Sequence, residues 1–152
     1  DAARGALALA TRRIESVARL EIDLAAGGKI VAARNHLEQT FLALLLNAAD
    51  ALDEERTDTN VITVRSRRLD ERRVMVEVVD NGRGMGPSVR PRIFDPFFTT
   101  KPIGQGTGLG LTVALHVVRA AGGTIDVEST PGEGTTMRVV LPLASSEPPP
   151  KG

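Results

Sequence analysis

An inward-facing carboxylate at the end of a predicted strand is the first residue whose placement suggests chemistry. Asp80 has the same parity as Val76 and Val78 in the strand before it, so its side chain points toward the core. A carboxylate there is costly unless a donor meets it, and the glycines of the segment DNGRGM (80–85) allow a flat ligand to approach closely. The pattern suits an Asp that accepts a hydrogen bond from an exocyclic amine, such as N6 of adenine. It also fits an Asp that caps its own turn, because Asp-Asn-Gly is a common turn sequence.

A glycine-rich segment, GQGTGLGL (104–111), leads directly into a predicted helix. Alternate glycines expose successive N–H groups, and the start of a helix adds a partial positive charge, so the segment is predicted to bind phosphate. It lacks the Gly-Lys-Ser/Thr of a Walker A loop and the spacing of a dinucleotide-binding fingerprint. A flexible glycine linker is the alternative. Lys101 stands just before the segment and could reach a terminal phosphate as a point charge.

One stripe of the first predicted helix carries small and polar residues at helical spacing. Ala43, Asn47, Asp50 and Ala51 face the same way and lie apart from the Leu/Phe face of that helix. The carboxamide oxygen of Asn47 is a suitable ligand for Mg²⁺ beside phosphate oxygens. An ordinary exposed Asn is the alternative.

Two further segments contribute. FDPFFTTK (94–101) holds three of the four Phe residues of the chain, either as buried anchors or as a contact surface. In GEGTT (132–136), Thr135 shares its parity with Met137 and Val139, so its hydroxyl is predicted to point inward and to need a partner.

Composition limits the classes of protein to which the chain could belong. It has 152 residues, no cysteine, and 19 basic against 19 acidic residues, so it has neither a disulfide framework nor a thiolate metal site, and no strong charge-based case for nucleic acid. The most apolar stretch, residues 41–46, is far shorter than the roughly 20 residues that span a bilayer. No secretory signal pattern opens the chain.

The elements that must position these residues alternate between strands and helices. Periodicity and turn residues predict a strand at 19–24, a short strand at 29–32, a helix from Asn35 to about Glu55, strands at 61–68 and 73–79, a helix at 107–121, and strands at 124–129 and 135–143. Tight turns between neighbouring strands indicate antiparallel pairing. We expect an α+β fold, a two-layer sandwich with helices on one face of a mixed, mainly antiparallel sheet. Residues 1–18 are predicted to be the remnant of an upstream helix or linker, 19–143 the domain, and 144–152 a disordered tail.

Taken together, the segments resemble the catalytic and ATP-binding domain of bacterial sensor histidine kinases. That domain belongs to an ATPase superfamily shared with DNA gyrase, the heat-shock chaperone ATPase and the mismatch-repair ATPase. LEQTFLALLLNAADA (37–51) is similar to the N box, DNGRGM (80–85) to the G1 box, FDPFFTTK (94–101) to the F box of nitrogen-regulation-type kinases, GQGTGLGL (104–111) to the G2 box, and GEGTT (132–136) to the last glycine box. The resemblance covers about residues 19–143.

The resemblance implies the Bergerat-type α/β sandwich and a role for each matched residue. Asn47 would hold Mg²⁺ against the phosphates, and Asn47 with Lys101 would serve catalysis. Asp80 would read adenine N6, and residues 87–106 would form a mobile lid over the nucleotide. The implied ATP-binding residues are Asn47, Asp50, Ala51, Asp80, Gly82, Gly84, Met85, Ile93, Lys101, Gly106, Thr107, Gly108, Leu109, Gly110, Leu111 and Thr135.

The implied activity is the transfer of the γ-phosphate of Mg·ATP to a histidine on a dimerisation domain outside this chain. A response regulator would receive the phosphate next, and no direct contact with nucleic acid is implied. His36 and His116 do not stand where an acceptor is expected, so we interpret both as structural. We expect a monomeric fragment of a homodimeric parent. The domain would be cytoplasmic, and its parent soluble or membrane-anchored.

Ala43 is a departure from the family, many members of which carry Asn there, while gyrase-type hydrolases carry a water-activating Glu. The alternatives are therefore a nucleotide-binding module with weak or no catalysis, and a self-contained ATPase, which Ala43 disfavours. An arginine-rich hairpin is interpreted as a solvated face rather than a site for an acidic partner. Its arginines are Arg65, Arg67, Arg68, Arg72 and Arg73.

Overall fold

A computed structural model describes residues 14–15, 18–24, 34–95 and 110–143. The predicted short strand at 29–32, the predicted tail at 144–152 and most of the N-terminal segment lie outside these ranges. The described elements are β1 (Arg19–Leu24), α1 (Arg34–Asp50), β2 (Val61–Arg68), β3 (Arg73–Asp80), α2 (Gly110–Ala120), β4 (Thr124–Thr130) and β5 (Gly134–Pro142). Two short 3-10 turns, Glu54–Arg56 and Arg90–Arg92, lie between them.

The five strands form one sheet in the order β1-β2-β3-β5-β4. β1 runs parallel to β2, and the other neighbours are antiparallel. The one parallel pair flanks α1 in the chain, as expected, because parallel neighbours need a crossover connection. The two helices pack against this mixed sheet, which confirms the predicted two-layer α+β sandwich.

The predicted core face of α1 is confirmed. Its buried residues pack with inward residues of the sheet, among them Val64, Val78 and Val139. They are Leu37, Phe41, Leu44, Leu45 and Ala48, joined just beyond the helix by Leu52. Their spacing places all of them on one side of a helix with 3.6 residues per turn, so α1 packs against the sheet with this apolar face.

The prediction for the end of α1 was wrong by about five residues. The helix ends at Asp50 rather than near Glu55. Asp53 has extended backbone angles, and its side chain accepts a hydrogen bond from the Glu55 N–H at 2.9 Å. Asp is a strong N-cap residue, so it begins the separate Glu54–Arg56 turn instead of continuing the helix.

α2 ends at Ala120, within one residue of the predicted end at 121, and the predicted stop, Gly122 and Gly123, follows. The Gly122 N–H donates to the Arg119 carbonyl at 3.0 Å, and the Gly123 N–H to the Val118 carbonyl at 2.9 Å. These two bonds form a Schellman motif. Within the described part of the chain, neither helix is both long and apolar enough to span a membrane.

Candidate functional site

Three polar side chains lie next to one another on the helix-covered face of the sheet. Asp80 at the end of β3 is paired with Thr135 on β5, and Thr135 is paired with Ser129 on β4. Asp80 and Thr135 are 5% and 4% exposed, so both predictions of inward orientation are confirmed. We call Asp80, Thr135 and Ser129 the inner row. The inner row borders the apolar core, at the end of β3 where the turn 81–86 begins.

Burial sets the chemistry of Asp80. Loss of solvent raises the pKa of its carboxyl from 3.8 to about 6, although the N–H groups of Gly82 and Thr135 and the charge of Arg83 oppose the rise. Asp80 Oδ1 accepts the Gly82 N–H at 2.9 Å, so this carboxylate does cap its own turn. A carboxylate has about four acceptor positions. The cap therefore leaves Asp80 with capacity to accept a hydrogen bond from a ligand.

The turn after Asp80 is tied to both neighbouring elements. Asn81 mimics a strand, since its Oδ1 accepts the Val61 N–H at 2.8 Å and its Nδ2 donates to the Thr59 carbonyl at 2.8 Å. Arg83 connects the turn to the end of α1. Its backbone N–H donates to the carbonyl of Ala51 at 3.0 Å, and its Nη1 donates to that of Asp50 at 3.1 Å. The end of α1 is thereby held against the end of β3.

Two glycines of the turn pack closely against backbone carbonyls of neighbouring segments, whereas the sequence predicts that they admit a flat ligand. A Cβ at Gly82 would overlap the carbonyl of Ala51. Gly84 has a φ of 68°, and a Cβ there would overlap the carbonyl of Thr130. A side chain at Gly84 would thus meet both a backbone clash and an unfavourable left-handed conformation.

The polar stripe of α1 connects the turn with the start of α2. Ala43, Asn47, Asp50 and Ala51 are all half-buried. At one end of the stripe, Ala51 lies against Gly82; at the other, Ala43 Cβ lies 3.7 Å from where a Cβ of Gly110 would be. Asn47 stands four residues from each end, about 6 Å along the helix. Asn47 is therefore midway along the stripe, between the end near the turn of Asp80 and the end near the N-terminus of α2.

The segment after the turn packs onto the core. Met85 is half-buried and donates its N–H to Ser129 Oγ at 2.7 Å. Ile93 is 7% exposed and belongs to the hydrophobic core, and Leu111 packs against that core from α2. The Thr112 hydroxyl donates to the Phe94 carbonyl at 2.9 Å, so the start of α2 is joined to the segment around Phe94.

The remaining predicted site residues lie outside the described residues. They are Lys101, Gly106, Thr107, Gly108 and Leu109. In the residues that the structure does describe, no group of three or more His, Asp or Glu side chains is arranged to hold a metal ion. The sequence-predicted magnesium ligand, Asn47, is not of that type.

Sequence reasoning missed the structural roles of three residues around Asp80. Asn81 and Arg83 were treated as part of a motif, and their bonds to Val61 and α1 depend on contacts distant in sequence. Ser129 did carry a usable signal. It has the same parity as the inward-facing Ile125 and Val127. The short turn between β4 and β5 also indicates a hairpin register in which Ser129 lies opposite Thr135.

Comparison with known proteins identifies the family of the chain. Residues 32–145 match the family model described as histidine kinase-, DNA gyrase B-, and HSP90-like ATPase. Sensor histidine kinase ZraS of Klebsiella oxytoca is 38% identical over 143 residues, which are 94% of this chain and 28% of that protein. The histidine-protein kinase AtoS of Escherichia coli is 34% identical over 131 residues, 86% of this chain and 20% of that protein.

Solved structures show the same fold. The mycobacterial sensor histidine kinase MprB superposes with a TM-score of 0.81 at 25% identity, and the alignment covers 93% of this chain and 92% of the MprB chain. Full-length ShkA in complex with AMPPNP gives a TM-score of 0.80 at 26% identity, covering 97% of this chain and 30% of that one. By the sequence comparisons above, the chain spans less than a third of the length of the curated relatives ZraS and AtoS.

Proposed function

Since the chain belongs to the histidine kinase-, DNA gyrase B- and HSP90-like ATPase family, we propose that it binds Mg·ATP along the α1 stripe and transfers the γ-phosphate to a histidine. It is an ATP-binding catalytic domain of the sensor histidine kinase type. The observation that carries the proposal is the buried Asp80, which lies at one end of the stripe while the N-terminus of α2 lies at the other.

The adenine end of the site is assigned to Asp80. The carboxylate of Asp80 faces the backbone N–H groups of Gly82 and Thr135 and the charge of Arg83, and it can accept a hydrogen bond from the N6 amine of adenine. The close packing of Gly82 and Gly84 on Ala51 and Thr130 keeps side chains out of the turn beside it. Thr135, next to Asp80 on β5, adds a hydroxyl oxygen to the same surface.

The phosphate end of the site is assigned to the start of α2. Backbone N–H groups at a helix N-terminus and the helix dipole favour anions, and Gly110 is the first residue of α2. Residues 106–109 would extend this cradle, and Lys101 would add a positive charge. Asn47, midway along the stripe, would hold Mg²⁺, which would neutralise phosphate charge when bound. A neutral oxygen ligand beside phosphate oxygens fits that ion.

The reaction that we propose is an in-line phosphoryl transfer. An imidazole nitrogen of the acceptor histidine attacks the γ-phosphorus, the bond to the β–γ bridging oxygen breaks, and ADP leaves. The residues of this chain position the nucleotide and stabilise charge rather than form covalent bonds. We place the acceptor on a dimerisation domain of a homodimeric parent that acts in the cytoplasm, and a response regulator as the next recipient.

Ala43 separates this proposal from a self-contained ATPase. Its methyl group lies beside the start of α2. Because residue 43 is an alanine, the stripe has no carboxylate at the position where gyrase-type hydrolases carry theirs. We therefore propose that the isolated chain binds ATP without steady release of phosphate.

A calorimetric titration of the 152-residue chain with ATP, in Mg²⁺ and then in EDTA, tests the proposal. We expect binding that is tighter with Mg²⁺, and a malachite-green assay that shows no steady phosphate release. Asn47→Ala should remove the magnesium dependence, whereas Gln39→Ala, at an exposed position of the same helix, should preserve it. No binding in either condition would indicate a degenerate module, and steady release would indicate a self-contained ATPase.

A further inference from the structure

Ser129 makes three polar contacts from the far end of the inner row. Its Oγ lies 2.7 Å from the Met85 nitrogen, 3.1 Å from the Gly134 carbonyl oxygen and 2.8 Å from Thr135 Oγ1. Three contacts fill the capacity of a hydroxyl, which has one proton and two lone pairs. The side chain therefore joins β4 to the turn after Asp80 and to the start of β5.

The identity of these partners fixes the direction of each hydrogen bond. The Met85 N–H can only donate, so it takes one lone pair of Ser129. The Gly134 carbonyl can only accept, so it takes the single proton of Ser129. All three contacts are then hydrogen bonds only if the Thr135 hydroxyl donates to the remaining lone pair of Ser129. The Thr135 proton is thus directed away from Asp80.

We propose that Ser129 is a positioning residue that makes Thr135 an acceptor toward the bound base. Asp80 and Thr135, which are neighbours across β3 and β5, then both present acceptor oxygens to the ligand. Such a pair favours a purine with an exocyclic amine and opposes one that presents a carbonyl at the same position. The inference rests on the proposed function, since it assigns base selectivity to the same ATP site.

A purely structural tie would have a different consequence. The bond from Met85 to Ser129 fastens the turn to β4, so its loss would weaken the binding of every nucleotide by a similar factor. The orientation of the Thr135 proton acts differently, because a released hydroxyl can rotate and donate to a carbonyl. The ratio of ATP to GTP affinity therefore distinguishes the two roles, whereas the ATP affinity alone does not.

The test is the ratio of GTP to ATP dissociation constants, measured by calorimetry on the full 152-residue chain with Mg²⁺. We expect Ser129→Ala to lower this ratio about tenfold, the effect of one hydrogen bond, whereas Ser129→Thr, which keeps the hydroxyl, should retain it. Asp126→Ala changes an exposed residue of the same strand, β4, and is the matched control; it should leave the ratio unchanged. If Ser129→Ala does not fold, Ser129→Cys keeps the size of the side chain but accepts hydrogen bonds weakly.

A double-mutant comparison isolates the route through Thr135. Thr135→Val removes the hydroxyl, so adding Ser129→Ala to that variant should not change the ratio further. A wild-type ratio in both Ser129→Ala and Ser129→Cys, with weaker binding of both nucleotides, would overturn the inference and leave Ser129 as a structural tie. Failure of the wild-type chain to bind ATP would instead overturn the proposed function itself.

Discussion

Two rows of polar side chains cross the same sheet on opposite faces, and they treat charge differently. The inner row joins Asp80, Thr135 and Ser129. The outer row is defined by ion pairs across four strands and consists of Arg65, Glu77, Arg138 and Glu128. In the outer row each carboxylate meets an arginine, whereas in the inner row the carboxylate caps a backbone N–H beside hydroxyl groups.

The outer row satisfies its own charges. Arg138 Nε lies 2.9 Å from Glu77 Oε2, and Arg138 Nη2 lies 2.8 Å from Glu128 Oε2. These hydrogen bonds raise the pKa of Arg138. For Asp80 in the inner row, burial outweighs hydrogen bonding: it raises the pKa of the carboxyl to about 6, although the N–H donors act to lower it. The comparison indicates that the outer row stabilises the sheet, while Asp80 is kept where a ligand can complete its hydrogen bonding.

Replacing Asp80 should give the largest effect on binding. Asp80→Asn replaces the proposed acceptor of the adenine amine, and the loss of a charge-assisted hydrogen bond should weaken ATP binding roughly tenfold to a hundredfold. Calorimetry measures this change. Asp126→Asn, at an exposed position on β4, is the control and should bind as the wild type does. Equal ATP affinity in Asp80→Asn would remove the adenine assignment.

Replacing Arg138 should affect stability without affecting binding. Arg138→Met leaves the buried Glu77 with only the distant Arg65, at 3.9 Å, so we expect a loss of about 2 kcal/mol in the free energy of unfolding. Urea denaturation measures the loss. The exposed Arg67 is the control, and Arg67→Met should change little. A large change in ATP affinity in folded Arg138→Met would contradict the separation of the two rows.

The pH dependence of stability should show the cost of the buried carboxyl. In the absence of nucleotide, the folded chain holds the Asp80 proton more tightly than the unfolded chain, with a pKa of about 6 against 3.8. This stabilisation is complete below about pH 4 and is lost as the pH rises through 6. Between pH 5 and 7, the wild type should lose roughly 1 kcal/mol relative to Asp80→Asn. Urea denaturation of both proteins at pH 5 and pH 7 measures this difference. An equal change in the free energy of unfolding of the wild type and Asp80→Asn would contradict the prediction.

Much of the inner row was predictable because strands alternate. Asp80 and Thr135 share the parity of the valines and of Met137 in their strands, and both are buried. Parity is a poorer guide on β1, at the edge of the described sheet, where Ile22 is 47% exposed although its partner Val64 on β2 is buried. The end of α1 was predicted wrongly for a local reason. The side chain of Asp53 caps a separate turn, so the helix does not continue to Glu55.

The bonds that hold the turn could not be predicted from the sequence. Asn81 reaches Thr59 and Val61, about 20 residues away, and Arg83 reaches the end of α1. Such partners become known only when the strand order and the helix position are fixed. The same holds for Ser129, whose three contacts belong to three different segments.

The most direct test of the two-row account is an NMR titration of the backbone amides with Mg·ATP. The account predicts large chemical-shift changes at saturation for Gly82, Gly84 and Thr135, and small ones for Glu77 and Arg138 on the opposite face. Shifts concentrated on the outer row, or unchanged amides around Asp80 when ATP is bound, would contradict it.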